Sequence, residues 1–275
     1  MTINTATPAT ASLPLGTVGV KVKQLTTAQK AAVSDAPIFL APERGDPLTR
    51  HIECVPCVDI DALSSSQRAD LQLGQKVVEA YWKAVQAYSL WCTLEQWPMF
   101  RCVRTALAVR DIFHAVGRKD ALVAPVGVKL VRMKAGIELD GLLLGDPKAP
   151  VLLNKWNAHM VVRLGSIIFD PSHGQMQRSW NAAPDTLAIA SKDKCTQKVS
   201  LYEMGKANIV TSYRYTHGGF DFDLAYFKLT RSVVERTRDW HDSPDASLKR
   251  RQPVVQAAVR LLQETYPRTD WNVAA

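Results

Sequence analysis

The chain has 275 residues, of which 47% are hydrophobic and 22% charged, and it carries a formal net charge of +8. This composition is ordinary for a globular protein with a substantial core, and no apolar run approaches the ~18 residues of a membrane helix, which argues against a membrane protein. Five cysteines are few, and an odd number cannot pair completely, which argues against a disulfide framework. Free thiols and a cytoplasmic location are therefore expected. The N-terminus also lacks the basic start and apolar stretch of a secretory signal.

The basic excess arises from 34 Lys and Arg against 26 Asp and Glu. Such an excess suits nucleic acid, an anionic surface or an acidic substrate. No basic run is longer than Lys249-Arg250-Arg251, however, and a solvated basic surface explains the balance equally well. The charge alone therefore selects no partner.

The predicted elements begin after a lead, residues 1–17, that is rich in Ala, Thr, Pro and Ser and is expected to be disordered. Prolines interrupt residues 18–61, which we interpret as extended or looped chain around a core. Apolar residues spaced by three and four predict a helix over residues 66–94. A second helix is predicted from Pro98 to Gly117, because proline suits a first turn and glycine suits a helix end.

The next segments have the character of strands. β-branched residues predict a strand over residues 121–133, and a Gly- and Pro-rich loop is predicted over residues 136–150. Residues 160–169 predict a hairpin, and residues 207–215 and 220–227 predict two short strands. Together with the helices, these strands predict an α+β fold.

One domain is expected, because the length fits a single large unit. We predict that residues 18–275 form a single domain of catalytic type with its core over residues 66–230. An amphipathic pattern predicts a final helix over residues 246–266.

A two-residue turn that begins with Gly165 sets the register of the predicted hairpin. This turn pairs Leu164 with Ile167, and because side chains alternate, His159 and Asp170 then lie on one face as diagonal neighbours. Apolar residues fill the opposite face, which is the one expected to meet the core. The pattern therefore predicts an imidazole and a carboxylate held together on the polar side of the hairpin.

Cys102 falls in the first turn of the predicted second helix, where free backbone N–H groups and the helix dipole favour an anion. Arg101 and Arg104 add positive charge beside it. A cysteine nucleophile acts as the thiolate, and an imidazole oriented by a carboxylate supplies that state. Cys102, His159 and Asp170 are therefore candidate catalytic residues, although Cys102 also fits a small apolar core position.

A helix-borne cysteine, a strand and a hairpin carrying His159 and Asp170 resemble the transglutaminase-like branch of the papain-like superfamily, a plan that arylamine N-acetyltransferases share. The resemblance covers about residues 96–172 and implies a papain-like α+β core, with the cysteine helix packed on an antiparallel sheet bearing His and Asp. It also implies that Cys102 is the nucleophile, His159 the base and Asp170 the residue orienting the imidazole. Val103 stands where transglutaminases usually have Trp, so the resemblance reaches the superfamily and no single activity.

The resemblance implies acyl transfer at an amide or ester carbonyl through a thioester, with peptidase, deamidase and transglutaminase-like outcomes left open. A protein or peptide substrate is expected, and neither a metal nor an organic cofactor is required. Gln96 lies six residues before Cys102, a spacing similar to that of papain-like peptidases, and is the candidate oxyanion donor. Trp156 and Asn157, just before the histidine, are candidates for lining the cleft.

An inactive papain-like binding module is the first alternative. Its basic surface would contact nucleic acid or an acidic partner, with residues 228–251, Tyr226 and Trp240 as candidate contacts. No nucleic-acid-binding motif accompanies them, and a solvated helical face explains this region as well.

A structural metal or redox protein built on Cys54 and Cys57 is the second alternative. A zinc site would need Cys92 or Cys195 to join from a distance, and a redox motif usually leads into a helix, whereas this segment is expected to be extended. Incidental cysteines fit the pattern best.

The remaining histidines have local interpretations. His173 is expected in a turn or as a rival base, and His217 in a turn before a strand. His114 lies too far along its helix to serve Cys102, and His241 is expected to be solvated.

Overall fold

The computed structural model describes residues 51–87, 102–146, 158–176, 178, 180–181, 183–191, 198–201, 205–236 and 238–266. In these ranges the α-helices are α1 (Ser65–Ala87), α2 (Cys102–Ala115), α3 (Arg231–Arg236) and α4 (Leu248–Thr265). The strands are β1 (Cys54–Pro56), β2 (Leu122–Lys134), β3 (Ile137–Leu144), β4 (His159–Leu164), β5 (Ile167–Asp170), β6 (Thr186–Ala190), β7 (Lys198–Leu201), β8 (Gly205–His217) and β9 (Phe220–Phe227).

The strands form one curled sheet in the order β1-β6-β5-β4-β2-β9-β8-β7, and β3 pairs with β2 outside this path. All described pairings are antiparallel except that of β1 with β6. The predicted α+β class is confirmed at this level.

Most predicted elements within the described ranges are confirmed, including both long helices, the hairpin and the two strands after residue 205. The loop predicted over residues 136–150 is wrong, because residues 137–144 form β3. Gly136, with a φ of 76°, makes the turn between β2 and β3, so a glycine that suggested a loop instead joins two paired strands. The lead over residues 1–17 and the helix start near residue 98 lie outside the described residues.

A capping box begins α1. The Ser64 backbone N–H donates to the Gln67 side chain at 2.8 Å, and the Gln67 N–H donates to the Ser64 hydroxyl at 3.2 Å. The Gln67 amide also donates to the Ser166 hydroxyl in the β4–β5 turn at 2.7 Å. The start of α1 is thereby attached to the tip of the hairpin.

Two apolar clusters lie on opposite sides of the sheet. One contains α1, α2 and the side chains of Met160, Val162 and Phe169, and the other contains Val161 and Ile168 with the inner faces of β2 and β9. The β4–β5 hairpin therefore separates two buried layers. Among the described helices none is both long and apolar enough to cross a membrane.

Candidate active site

The hairpin register places His159 beside Asp170. Leu164 pairs with Ile167 across the turn, as the sequence predicts, and Gly165 has the positive φ, 56°, that a turn with glycine first requires. His159 Nε2 lies 2.8 Å from Asp170 Oδ2, and both side chains are 0% exposed. The predicted proximity of imidazole and carboxylate is observed.

The predicted contrast between a polar and an apolar face is wrong. His159 and Asp170 do share a face with Val161 and Ile168, but that face packs into the second apolar cluster and is also buried. Only Arg163 on β4 is exposed. The ionisable pair is therefore enclosed on both sides, where an unpaired charge would be costly.

Asp170 accepts hydrogen bonds from several directions. The Tyr226 hydroxyl of β9 donates to Oδ2 at 2.6 Å, and His173 Nδ1 lies 3.2 Å from the same oxygen. The Ser172 backbone N–H donates to Oδ1 at 3.2 Å. His173 Nδ1 is also 3.0 Å from the Tyr226 hydroxyl, so the three side chains form one buried network. These contacts fix the carboxylate that holds His159.

The charges of this network stabilise one another. Burial lowers the pKa of His159, but the charge and hydrogen bond of Asp170, together with a hydrogen bond to Cys102, raise it to about 10. Burial raises the pKa of Asp170, but the charge and hydrogen bonds of His159 and His173 hold it well below its usual range. Burial and the Asp170 charge raise the pKa of Tyr226, which keeps its hydroxyl a donor. The pair therefore favours imidazolium and carboxylate.

Cys102 is the first described residue of α2, and its side chain is buried, with 6% of the residue exposed. It is a free thiol that shares a hydrogen bond with the imidazole of His159. Helix α2 packs on β4, which carries His159, so the sheet and the helix meet at the three candidate residues. Cys102, His159 and Asp170 are thus brought together in one place.

Gln175 contacts the other edge of the His159 ring. Its amide Nε2 contacts Nδ1 and lies 3.5 Å from Nε2. Gln175 is half-buried and belongs to a short 3₁₀ helix, His173–Met176, just after Asp170. The sequence interpretation overlooked this residue because nothing in the local pattern distinguishes it from a surface glutamine.

A tryptophan holds the chain just after Asp170. The Trp82 indole N–H of α1 donates to the Pro171 carbonyl at 3.0 Å, and the ring is 1% exposed. Tyr81 directly precedes Trp82 in α1, and its hydroxyl donates to the Thr105 hydroxyl of α2 at 3.2 Å. One helix therefore supports both the cysteine helix and the Asp170 segment.

Three predicted site residues cannot be placed. Gln96, Trp156 and Asn157 lie outside the described residues, so their predicted roles in the oxyanion site and the cleft stay predictions.

The Cys54 and Cys57 pair lies away from a helix start, in and just after the short strand β1. Both are free thiols, and burial raises the pKa of Cys57 to about 11. In the described part of the chain no group of three or more His, Cys, Asp or Glu side chains is placed to hold a metal ion. Cys92 and Cys195, which a zinc site would need, lie outside that part.

The remaining histidines mostly follow their predictions. His114 Nε2 lies 2.9 Å from the Ala121 carbonyl, His217 precedes the tight turn at Gly218, and His241 is exposed. His173 differs, because it is 2% exposed and belongs to the Asp170 network. Its proximity to Asp170 along the chain was the only sequence signal of that role.

Two aromatic residues proposed for a nucleic-acid surface have other surroundings. Tyr226 is 0% exposed and hydrogen-bonds to Asp170, so it cannot contact a partner from the surface. Trp240 is half-buried and packs against the cluster that contains α1 and α2. Arg251, at the end of the basic region, is 7% exposed and pairs with Asp111 at 2.6 Å. Part of the basic region therefore serves packing and ion pairing.

The chain was compared with known proteins: no protein-family model, curated protein or solved structure matches it. The fold and the site must therefore be interpreted from their own geometry.

Proposed function

We propose that the protein is a cysteine-dependent acyltransferase or hydrolase of papain-like type, acting on an amide or ester carbonyl through a thioester. The observation that carries the proposal is the convergence of a free thiol, Cys102, on a buried imidazole, His159, whose Nε2 is 2.8 Å from Asp170. A nucleophile, a base and a group that orients the base are the minimum for this chemistry.

In the proposed reaction Nδ1 of the His159 imidazolium holds the thiol proton, because Nε2 is engaged by Asp170, and Cys102 attacks as the thiolate. The Cys102 sulfur then forms a bond to the carbonyl carbon, and the carbonyl electron pair moves to oxygen. As the C=O bond re-forms, the bond to the leaving amine or alcohol breaks, and that group takes the proton from His159. Water or an amine then attacks the thioester, loses a proton to His159 and releases Cys102.

Asp170 supports the proton transfers by holding the imidazolium. The charge on His159 is enclosed beside an apolar layer, where the adjacent carboxylate is the first group that offsets it. Strand β4 pairs with β2 on one side and with β5 on the other, so the ring is held by a rigid element. A protein or peptide amide is the proposed substrate, and no step requires a metal or organic cofactor.

The test uses the full chain with two reagents that report on Cys102. Iodoacetamide alkylates a thiolate, and p-nitrophenyl acetate acylates it with release of nitrophenolate. Mass spectrometry after digestion should locate both modifications at Cys102, and Cys102→Ser should abolish them. His159→Ala should slow both reactions by on the order of 10²-fold.

Cys57→Ser is the matched control, because Cys57 is a half-buried thiol whose pKa burial raises to about 11. It should leave both rates unchanged. If Cys102 reacts no faster than a free thiol near neutral pH and His159→Ala changes nothing, the enzymatic proposal is wrong and an inactive binding module is favoured.

The acyl acceptor can be determined in the same experiments. A glutamine-containing peptide should lose ammonia if the enzyme is a deamidase and incorporate a fluorescent amine if it is a transglutaminase. Cleavage of the peptide backbone would instead identify a peptidase.

A further inference from the structure

The Nδ1 edge of His159 is shared by two groups. Nε2 of the ring is occupied by Asp170 at 2.8 Å, so the thiol of Cys102 must exchange its proton with Nδ1. The Gln175 amide nitrogen contacts that same ring nitrogen. The amide N–H is therefore beside the place where the proposed reaction forms its new bond.

The backbone of Gln175 is fixed on both sides. Its N–H donates to the Ser172 carbonyl at 3.1 Å, and its carbonyl accepts a hydrogen bond from Arg178 at 2.9 Å. The preceding Gly174 N–H donates to the backbone carbonyl of Asp185 at 2.8 Å, and the following Met176 is fully buried. Only the side chain of Gln175 can move without disturbing these contacts.

Protonation of Nδ1 removes its ability to accept a hydrogen bond. While Nδ1 carries the thiol proton, the ring and the Gln175 amide both present N–H donors to the same small space. Two donors cannot hydrogen-bond to each other, so the amide turns toward an acceptor beside the ring. In the proposed reaction, the acceptor formed there is the negatively charged oxygen of the tetrahedral intermediate.

We propose that the Gln175 side-chain amide is an oxyanion donor of this site, placed beside His159 Nδ1 and turned to the substrate carbonyl oxygen during attack by Cys102. This inference rests on the proposed function. It gives the oxyanion role to a residue that follows Asp170, instead of to Gln96, which precedes Cys102. A donor aimed at developing charge stabilises the transition state more than the ground state.

The two thiol reagents separate this role from others. Attack on p-nitrophenyl acetate passes through an oxyanion, whereas alkylation by iodoacetamide displaces iodide at a methylene carbon and forms none. Gln175→Ala should therefore slow acylation of Cys102 by on the order of 10²-fold while changing alkylation by less than about threefold. Gln75→Ala is the control, because this glutamine amide donates to the Cys54 carbonyl at 3.0 Å instead of contacting His159, and both rates should stay near wild type.

Gln175→Glu has the shape of the native side chain and keeps the comparison valid if Gln175→Ala proves unstable in a thermal melt. Its carboxylate repels an oxyanion, so acylation should again fall while alkylation persists. Equal loss of both rates in the Gln175 variants, or unchanged acylation, would overturn the inference. Failure of wild-type Cys102 to react with either reagent would instead overturn the proposed function itself.

Discussion

Tyr226 and His159 hydrogen-bond to the same oxygen of Asp170, Oδ2, at 2.6 and 2.8 Å. They come from strands β9 and β4, on either side of β2 in the sheet. Because the phenol donates to the carboxylate, it stabilises the ionised form and weakens the attraction of Asp170 for a proton on the His159 ring. The tyrosine therefore moderates the basicity of the proposed catalytic imidazole.

Tyr226→Phe removes this hydrogen bond with little change in shape. We expect the pKa of His159, already raised to about 10, to move upward by about one unit, because the carboxylate attracts the imidazolium more strongly. NMR titration of the His159 ring measures the shift. Tyr215→Phe is the control, since its hydroxyl donates to Asn181 at 2.9 Å and not to Asp170. Identical titrations of the two variants would contradict the prediction.

Asp170→Asn replaces the carboxylate by a neutral amide. Burial, which lowers the pKa of His159, is then opposed by Cys102 without the charge of Asp170, so the pKa should fall from about 10 toward its ordinary value of 6.5. Acylation of Cys102 near neutral pH should decrease by on the order of 10²-fold or more. Asp223→Asn on the same sheet breaks an ion pair with the exposed Arg214 and should leave the rate unchanged. Equal rates in the two variants would remove Asp170 from the mechanism.

The stability of the fold should depend on pH through this pair. The folded-state pKa of His159, about 10, exceeds 6.5, so its stabilisation is complete below about pH 6.5 and is lost as the pH rises toward 10. The pKa of Asp170 is lowered from 3.8, so its stabilisation is present above about pH 3.8 and is lost below it. Urea unfolding from pH 2 to 10 measures both limbs. His159→Gln should flatten the decline between pH 7 and 10, and an unchanged decline would contradict this assignment.

Gly74→Ala tests the packing of α1 on the hairpin. A Cβ at position 74 would lie 1.9 Å from the Phe169 ring, so the substitution should destabilise the protein by about 1–3 kcal/mol. Helix propensity alone predicts a stabilisation of about 1 kcal/mol, so the sign of the change decides between the two effects. Gly141→Ala, whose nearest contact is 3.3 Å to a Val131 methyl, is the milder control. Urea unfolding measures both changes.

The hairpin could be predicted from sequence because its register depends on local features. Gly165 fixes the turn, and alternation then determines which side chains share a face with His159. The predicted exposure of the His159 face was wrong because the alternation of side chains assigns residues to two faces of the hairpin but does not show which elements cover each face. The second layer comes from β2 and β9, which join the site from distant parts of the chain.

Tyr226 could not be predicted as a partner of Asp170. Phe220, Phe222, Leu224 and Tyr226 alternate along β9 and indicate a buried face, but the pattern does not say which strand that face meets. Pairing of β9 with β2 is a long-range contact that no local spacing encodes. Gln175 was missed for a related reason, since its role depends on where a short 3₁₀ helix directs its side chain.

Strand β2 determines the relative positions of the two groups that meet at Asp170. Its residue Val126 pairs with His159, and its residue Val128 pairs with Tyr226. An inserted residue between positions 126 and 128 would shift one partner relative to the other by ~3.3 Å and break the network. Insertions at the Gly218 turn, at the far end of β9, would leave that spacing intact. Among homologues of this protein, insertions and deletions should accordingly accumulate at the Gly218 turn and be absent from the middle of β2.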